Sequence, residues 1–324
     1  MTRPAPEEVS HAAIIGTGLI GSAWGALLLA HGIRVLAIDP ATDAPERLHQ
    51  TIGMMMPMLE ELGLLTSAAD FARVEVVAEP GPQLRDVQFV QENAPEKLAL
   101  KRSLFVELER WLDADTVIAS STSALKISDI QSACRYPQRC VAGHPINPPQ
   151  LMPLVEVSGG DLSDEAAIDW AMRFYTRLGK KPVRLRRDIE GHIAGRLSAA
   201  LWREAVSLVD QGVASVADID AAVRFGPGLR WATMGPHLTY HLGGGEGGIR
   251  HYLEHLGDSQ QRRWESLGKP SLSADLKDRI ADGVVEEAQG RSIEELAADR
   301  DRKLVAAIKA LGERRNADRF SEVP

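Results

Sequence analysis

The sequence is short of three things. Only two of its 324 residues are cysteine, Cys134 and Cys140. They could pair in principle, but so few in a chain this long, with no export signal, read as free thiols of a reducing compartment. Positive charge is also scarce: 37 Lys and Arg stand against 45 Asp and Glu, for a net charge of -8. Nucleic-acid-binding domains are usually basic, so a nucleic-acid partner is not expected. Apolar runs fall short of the ~18 residues that a membrane span requires, so no membrane partner is expected either. The first ten residues lack the basic-then-apolar signature of a signal peptide, and the expected compartment is the cytoplasm. Internal repeats and low-complexity segments are missing.

What is present is an ordinary globular composition, 44% hydrophobic and 25% charged, with length for two domains of roughly 150 residues each. His11 to Ile15 reads as a short apolar strand. It runs into Gly16-Thr17-Gly18-Leu19-Ile20-Gly21, a helical pattern through His31, and a second strand from Ile33 to Ile38 closing on Asp39. Gly16 permits the tight turn, Gly18 lets the backbone approach a pyrophosphate, and Gly21 lets the helix pack close to the strand. Leu19 and Ile20 open that helix, whose unpaired N–H groups face the phosphate. Asp39 follows Gly21 by 18 residues, where a carboxylate accepts from ribose hydroxyls and repels a 2′-phosphate. NAD is therefore expected rather than NADP. A lone glycine motif is a weak signal; the strand–helix–strand–acid context makes this one specific.

Asp43 to Leu65 reads as a helix, with Met54, Met55, Met56 and Met58 as adaptable packing or a flexible lip beside a substrate. Strands follow at Val74 to Val77 and Val87 to Gln91. The second ends in Glu92-Asn93-Ala94-Pro95-Glu96-Lys97, then a helix to Trp111. Thr116 to Ala119 is another strand, ahead of Ser120-Ser121-Thr122-Ser123, hydroxyl residues that could equally be a loop and a helix cap. Arg139 to Ala142, Met152 to Val157 and Val183 to Arg186 complete the strands. Beyond Ile189 strand signals vanish: Gly191 to Gly212, Ala217 to Phe225, His237 to Leu267 and Leu272 to Leu311 are mostly helical. The fold class is α/β, a Rossmann-type NAD-binding domain over 1–187 followed by an all-helical domain over 188–324. The second domain is expected to close one side of the cofactor cleft and to dimerise.

One stretch is chemically odd. In Ala142-Gly143-His144-Pro145-Ile146-Asn147-Pro148-Pro149 a histidine is locked between glycine and proline, and Leu154-Val155-Glu156-Val157 puts a carboxylate inside an apolar strand. Oxidising a secondary alcohol with NAD needs a base for the hydroxyl proton, and imidazole suits that near neutral pH. A carboxylate on the other ring nitrogen fixes the tautomer and stabilises the imidazolium. His144 is read as the base and Glu156 as its partner. Asn147 could hold the nicotinamide amide or a substrate oxygen, and Ser123 could donate to that oxygen. The plainer alternative has His144 satisfying local backbone groups and Glu156 at a strand edge. No metal site is expected.

With these residues the sequence resembles the 3-hydroxyacyl-CoA dehydrogenase family. The similarity runs through Gly16–Gly21, Asp39, Glu92–Lys101, Ser120–Leu125, Gly143–Pro149, Leu154–Val157 and the helix opening Gly191-His192-Ile193-Ala194-Gly195-Arg196-Leu197. The resemblance implies a Rossmann domain, a dimerising helical domain, a His144–Glu156 pair, and Ser123 near the substrate hydroxyl. It also implies Glu96, Lys101 and Asn147 near the cofactor. Within the family the second half is similar to the L-carnitine dehydrogenases, through Leu201–Ala205, Arg224–Pro236, Gly244–His251 and Arg291–Leu304.

Two positions depart from the pattern. Gly195 stands where the family has Asn and carnitine enzymes often an acid, and Ile146 stands where carnitine enzymes often have an aromatic. An aromatic face is how a quaternary ammonium is commonly held. Trp231, Tyr240 or Trp202 could take that part, although core packing is the readier explanation for each. Ile146, Ile193, Gly195 and Trp231 are the expected substrate-facing residues. The expected reaction is NAD-dependent oxidation of a small 3-hydroxy acid, L-carnitine to 3-dehydrocarnitine. The alternatives are L-gulonate, a short 3-hydroxyacyl-CoA with Arg184, Arg186 and Arg187 near its phosphates, or an NAD-binding protein without catalysis.

Overall fold

The computed structural model describes residues 3–66 and 69–312. The first part alternates strands and helices: β1 (His11–Ile15), α1 (Leu19–Ala30), β2 (Arg34–Ile38), α2 (Ala44–Glu61), β3 (Val74–Val77), β4 (Phe89–Glu92), α3 (Leu98–Leu108), β5 (Val117–Ser120), α4 (Ile127–Gln131), β6 (Cys140–Pro145), β7 (Leu154–Gly159), α5 (Glu165–Arg177) and β8 (Lys181–Arg184). Seven helices follow: α6 (Ile193–Asp210), α7 (Val216–Phe225), α8 (Pro227–Trp231), α9 (Pro236–Gly243), α10 (Gly248–Ser266), α11 (Ala274–Ala288) and α12 (Ile293–Leu311).

The strands form one sheet in the order β3-β2-β1-β4-β5-β6-β7-β8. Every pairing is parallel except β6 with β7. Strand order reverses between β1 and β4, which opens the crevice at their carboxyl ends where sheets of this kind bind ligands. The strands are covered on both faces, so they read as apolar runs rather than alternating ones. Along β1, Ala12 and Ile14 join one core with Trp24, Phe89, Phe174 and Tyr175, while Ala13 and Ile15 join a second with Phe105, Leu108, Ile127 and Ile130. Helix α1 is buried from Gly21 to Ala30, as its all-round apolar composition requires.

The chain forms two compact units. Among the described residues, one comprises those up to Gly195 together with 301–312; the other is Arg196–Arg300. The position near Arg187, where strand signals stop in the sequence, lies inside the first unit.

The α/β class and the strand–helix order match the sequence reading, with local differences. The last strand is Lys181–Arg184, two residues ahead of its sequence estimate. Helix α5 was not anticipated, although Ala167, Ile168, Ala171, Phe174 and Tyr175 give it a buried stripe at helical spacing. The stretch 237–267 is two helices because glycines interrupt it, with Gly245 and Gly248 at positive φ. The stretch 272–311 breaks where Gln289 and Gly290 turn left-handed. Met55 and Met56 pack into the core, while Met54 is exposed. Cys134 and Cys140 are free thiols. Among the described residues no helix is long and apolar enough to cross a membrane.

Candidate active site

Three elements of the first unit bring chemistry to the carboxyl ends of the strands. The first is the glycine loop after β1. Gly16 has φ 85°, and a Cβ there would stand 2.9 Å from the carbonyl oxygen of Asn93, which follows β4. A Cβ on Gly21 would stand 1.9 Å from the Gly16 carbonyl oxygen. Backbone conformation and close packing therefore demand glycine at both. Gly18 differs: its φ is −63°, and among the described residues nothing lies within 4 Å of an added Cβ. It is the N-cap of α1, and the open space in front of it fits a ligand's pyrophosphate, received by the free N–H groups of Leu19 and Ile20.

Asp39 follows β2. Its Oδ2 accepts from the Thr17 amide at 2.8 Å and the Thr17 hydroxyl at 2.7 Å, and its Oδ1 accepts from the Ala41 amide at 3.0 Å. Burial pushes this carboxyl up, but the hydrogen bonds outweigh it and hold it below the usual range. Asp39 is thus a fixed anion at the edge of the crevice, suited to ribose hydroxyls and opposed to a 2′-phosphate.

The second element is the antiparallel pair β6–β7. Its register sets His144 directly opposite Glu156, and His144 Nδ1 lies 3.1 Å from Glu156 Oε2. A carboxylate only accepts, so Nδ1 carries the proton and Nε2 is left with a lone pair. Glu156 Oε1 accepts from the Ile193 and Ala194 amides, at 2.7 and 2.9 Å, in the first turn of α6. Burial pushes the Glu156 carboxyl up; the bonds from His144, Ala194 and Ile193 override it and hold the group low. The residue before the histidine is held as well. A Cβ on Gly143 would stand 1.9 Å from the Tyr175 hydroxyl oxygen. That hydroxyl donates to Gln91 at 2.6 Å, and Gln91 donates to the Gly143 carbonyl at 3.1 Å.

The third element is the loop after β5. Glu96 Oε1 accepts from the Thr122 hydroxyl at 2.6 Å, the Ser123 and Ala124 amides at 2.9 Å each, and the Leu125 amide at 3.4 Å. One carboxylate oxygen thus gathers the loop that carries the exposed Ser123. Beneath it, the buried Lys101 ammonium donates to Glu92 at 2.7 Å and to the Ala94 carbonyl at 3.0 Å, with Glu96 at 3.5 Å.

His192 joins the second and third elements. Its ring stacks on that of His144, with centroids 4.7 Å apart, and its Nε2 lies 2.9 Å from the Thr122 carbonyl oxygen. Sequence reading gave it no role; the one local signal is a lone histidine after Gly191 at a helix start. The loop-gathering geometry of Glu96 was equally invisible, because its partners lie 26 to 29 residues away.

The remaining predicted residues are more scattered. Asn147 is exposed just beyond β6, and Ile146 is half-buried. Ile193 reaches the site through its amide, with its side chain 41% exposed. At Gly195 nothing among the described residues lies within 4 Å of an added Cβ. Trp231 ends α8 in the helical unit and is 40% exposed; Trp202 and Tyr240, also there, are exposed too. Tyr240 nonetheless packs its ring on that of the buried Tyr252, with centroids 5.1 Å apart. Arg184 is engaged with Glu165 and Asp169.

The family model described as 3-hydroxyacyl-CoA dehydrogenase, NAD binding domain, matches residues 11–189, and the C-terminal domain model of the same family matches 191–286. The chain belongs to the 3-hydroxyacyl-CoA dehydrogenase family. Its cofactor is NAD, and it is an NAD-dependent 3-hydroxy acid dehydrogenase. Among its relatives, an L-carnitine dehydrogenase of Streptomyces griseus is 49% identical, over 95% of this chain and 92% of the relative. An L-carnitine dehydrogenase of Nocardiopsis dassonvillei is 46% identical, over 98% and 96%. Among solved structures, the 5-formyl-3-hydroxy-2-methylpyridine 4-carboxylic acid 5-dehydrogenase, an NAD+-dependent dismutase, superposes with a TM-score of 0.81. It is 27% identical, over 94% of this chain and 99% of that one. The 3-hydroxyacyl-CoA dehydrogenase fold thus covers both parts of the chain.

Proposed function

We propose that this dehydrogenase oxidises L-carnitine to 3-dehydrocarnitine, with His144 as the base. The His144–Glu156 pair carries the chemical half of that reading: a protonated Nδ1 on a fixed carboxylate leaves Nε2 to take the hydroxyl proton. Glu156 then faces an imidazolium rather than a neutral ring, and its charge offsets the one that forms. Ser123, on the loop gathered by Glu96, orients the substrate oxygen. The glycine loop and Asp39 would hold NAD, which would supply the hydride acceptor. Glu96 and Asn147 stand on loops at the carboxyl ends of the strands, and Lys101 lies buried in α3 beneath Glu96. The substrate half of the reading rests on relatives named L-carnitine dehydrogenase, at 40–49% identity over nearly the whole chain.

NADH formation measured on L-carnitine, D-carnitine, L-gulonate, 3-hydroxybutyrate and 3-hydroxybutyryl-CoA tests this directly. L-Carnitine should give the highest kcat/KM. Faster turnover of L-gulonate or the CoA ester would replace carnitine as the substrate, and NAD binding without turnover of any would sink the enzymatic reading.

The working form is a homodimer in the cytoplasm, built through the helical unit. That unit buries few large apolar side chains of its own, and leaves Trp202, Phe225, Leu229, Leu242 and Trp264 more than half exposed. Exposed apolar area on this scale marks an interaction surface. Sedimentation at micromolar concentration should give twice the 35.3 kDa chain mass; a monomer there would refute the dimer. Fractionation of the native cells checks the compartment, and recovery with the membrane or an exported fraction would refute it.

A further inference from the structure

His192 is unusual in four independent respects. It is fully buried. Its φ is 49°, a left-handed conformation that side-chain-bearing residues rarely hold without compensation. Its ring lies on the catalytic imidazole at an interplanar angle of 21°. Its Nδ1 is buried with no hydrogen-bond partner among the described residues. Nothing in the chemistry above uses it.

The hydrogen bonding fixes its state. A carbonyl only accepts, so the contact with Thr122 puts the proton on Nε2. Burial, the largest influence on this ring, pushes its pKa down, although the Thr122 carbonyl bond and the nearby Glu156 and Asp188 charges act the other way. The ring is thus a neutral imidazole with Nε2–H committed to the Ser123 loop and Nδ1 bare. A neutral ring can lie against His144 through the whole cycle, including the moment when His144 becomes cationic. A charged one would oppose that proton.

We propose that His192 is a positioning residue that sets the spacing between the base and the hydroxyl loop. One face of the ring fixes the plane of His144, and its Nε2–H fixes the carbonyl of Thr122, the residue next to Ser123. Glu96 collects the amide side of the same loop, so the loop is held from both sides, but only the His192 side is referenced to the base. The left-handed turn at Gly191-His192, where Gly191 also has positive φ, is the backbone's means of placing the ring there just before α6 begins. The inference rests on the proposed roles of His144 and Ser123.

A double-mutant cycle tests it. His192→Phe keeps a stacking ring and removes the donor to Thr122; Ser123→Ala removes the hydroxyl that the donor is inferred to place. Misplacement of a reacting group by about 1 Å can cost about 10²-fold in rate, and a smaller shift costs less. His192→Phe should therefore lower kcat about tenfold with wild-type Ser123, and less than about twofold in the Ser123→Ala background, because coupled residues are not additive. NAD affinity, read by fluorescence titration, should be unchanged in both. An equal loss in both backgrounds, or no loss in either, overturns the brace. Should His192→Phe fail to fold, His192→Leu, which likewise removes the donor to Thr122, carries the same comparison. If Ser123→Ala alone leaves turnover intact, it is the proposed role of Ser123 that fails.

Discussion

His144→Ala is expected to lower kcat by about 10²- to 10⁴-fold, the usual worth of a positioned general base, while NAD affinity stays as it is. The separation follows from the geometry. The groups that fit the cofactor's phosphates and ribose are Gly18, the first turn of α1 and Asp39, and the bonds of Asp39 run to Thr17 and Ala41. His144 has no part in them. Nor should the substitution unfold the site, because Glu156 keeps its bonds to the Ile193 and Ala194 amides. The check is NADH formation at saturating substrate beside a titration of NAD quenching intrinsic fluorescence. Equal losses of turnover and NAD affinity would mean that His144 acts on the cofactor pocket rather than on the substrate proton.

Lys101→Met should cost stability instead. The Lys101–Glu92 pair has side chains only 1% and 0% exposed, so removing the ammonium strands a carboxylate away from water. The Ser120 hydroxyl and the Ala94 amide still donate to Glu92, but neither brings a charge. Breaking a buried pair from one side costs about 3–5 kcal/mol, a large share of the ~5–15 kcal/mol that holds a typical domain together. Removing both charges, in Glu92→Leu with Lys101→Met, should recover much of that loss, because the desolvation cost goes with them. Urea midpoints of the three proteins decide it. A single variant as stable as the parent would show that the pair does not hold β4 to α3.

The cofactor half of the site is legible in the sequence because its signals are local. Gly16, Gly18, Gly21 and Asp39 sit at a spacing that one strand–helix–strand unit explains, and the packing leaves no room for a Cβ at Gly16 and Gly21. His144 and Glu156 were visible as polar residues out of place in apolar strands, though only the ladder shows that they face each other. What escaped notice was long-range. Glu96 and His192 meet the Ser123 loop across 27 and 70 residues respectively, and no periodicity carries that information. Helix α5 is legible only in part: its buried stripe has the right period, but it is short and lies between two stronger strand signals. The aromatic residues of the helical unit were read as core because tryptophan is buried on average. Their exposure belongs to a unit with little core of its own.

The reversal of direction between β6 and β7 has an evolutionary consequence. Side chains alternate between the faces of a sheet, so a slip of one residue would bring Val155 or Val157 opposite His144 in place of Glu156. The apolar residues on either side of Glu156 are buried, and such a slip would expose them to the wrong face. Pairing thus proofreads the His144–Glu156 contact. The connection from Ile146 to Pro153 sits outside that ladder; Pro148 to Leu151 are buried, but Ile146 and Asn147 are not, so substitution at those two positions leaves the register of the pair untouched. Ile146 can therefore vary between relatives while the pairing of His144 with Glu156 is inherited intact.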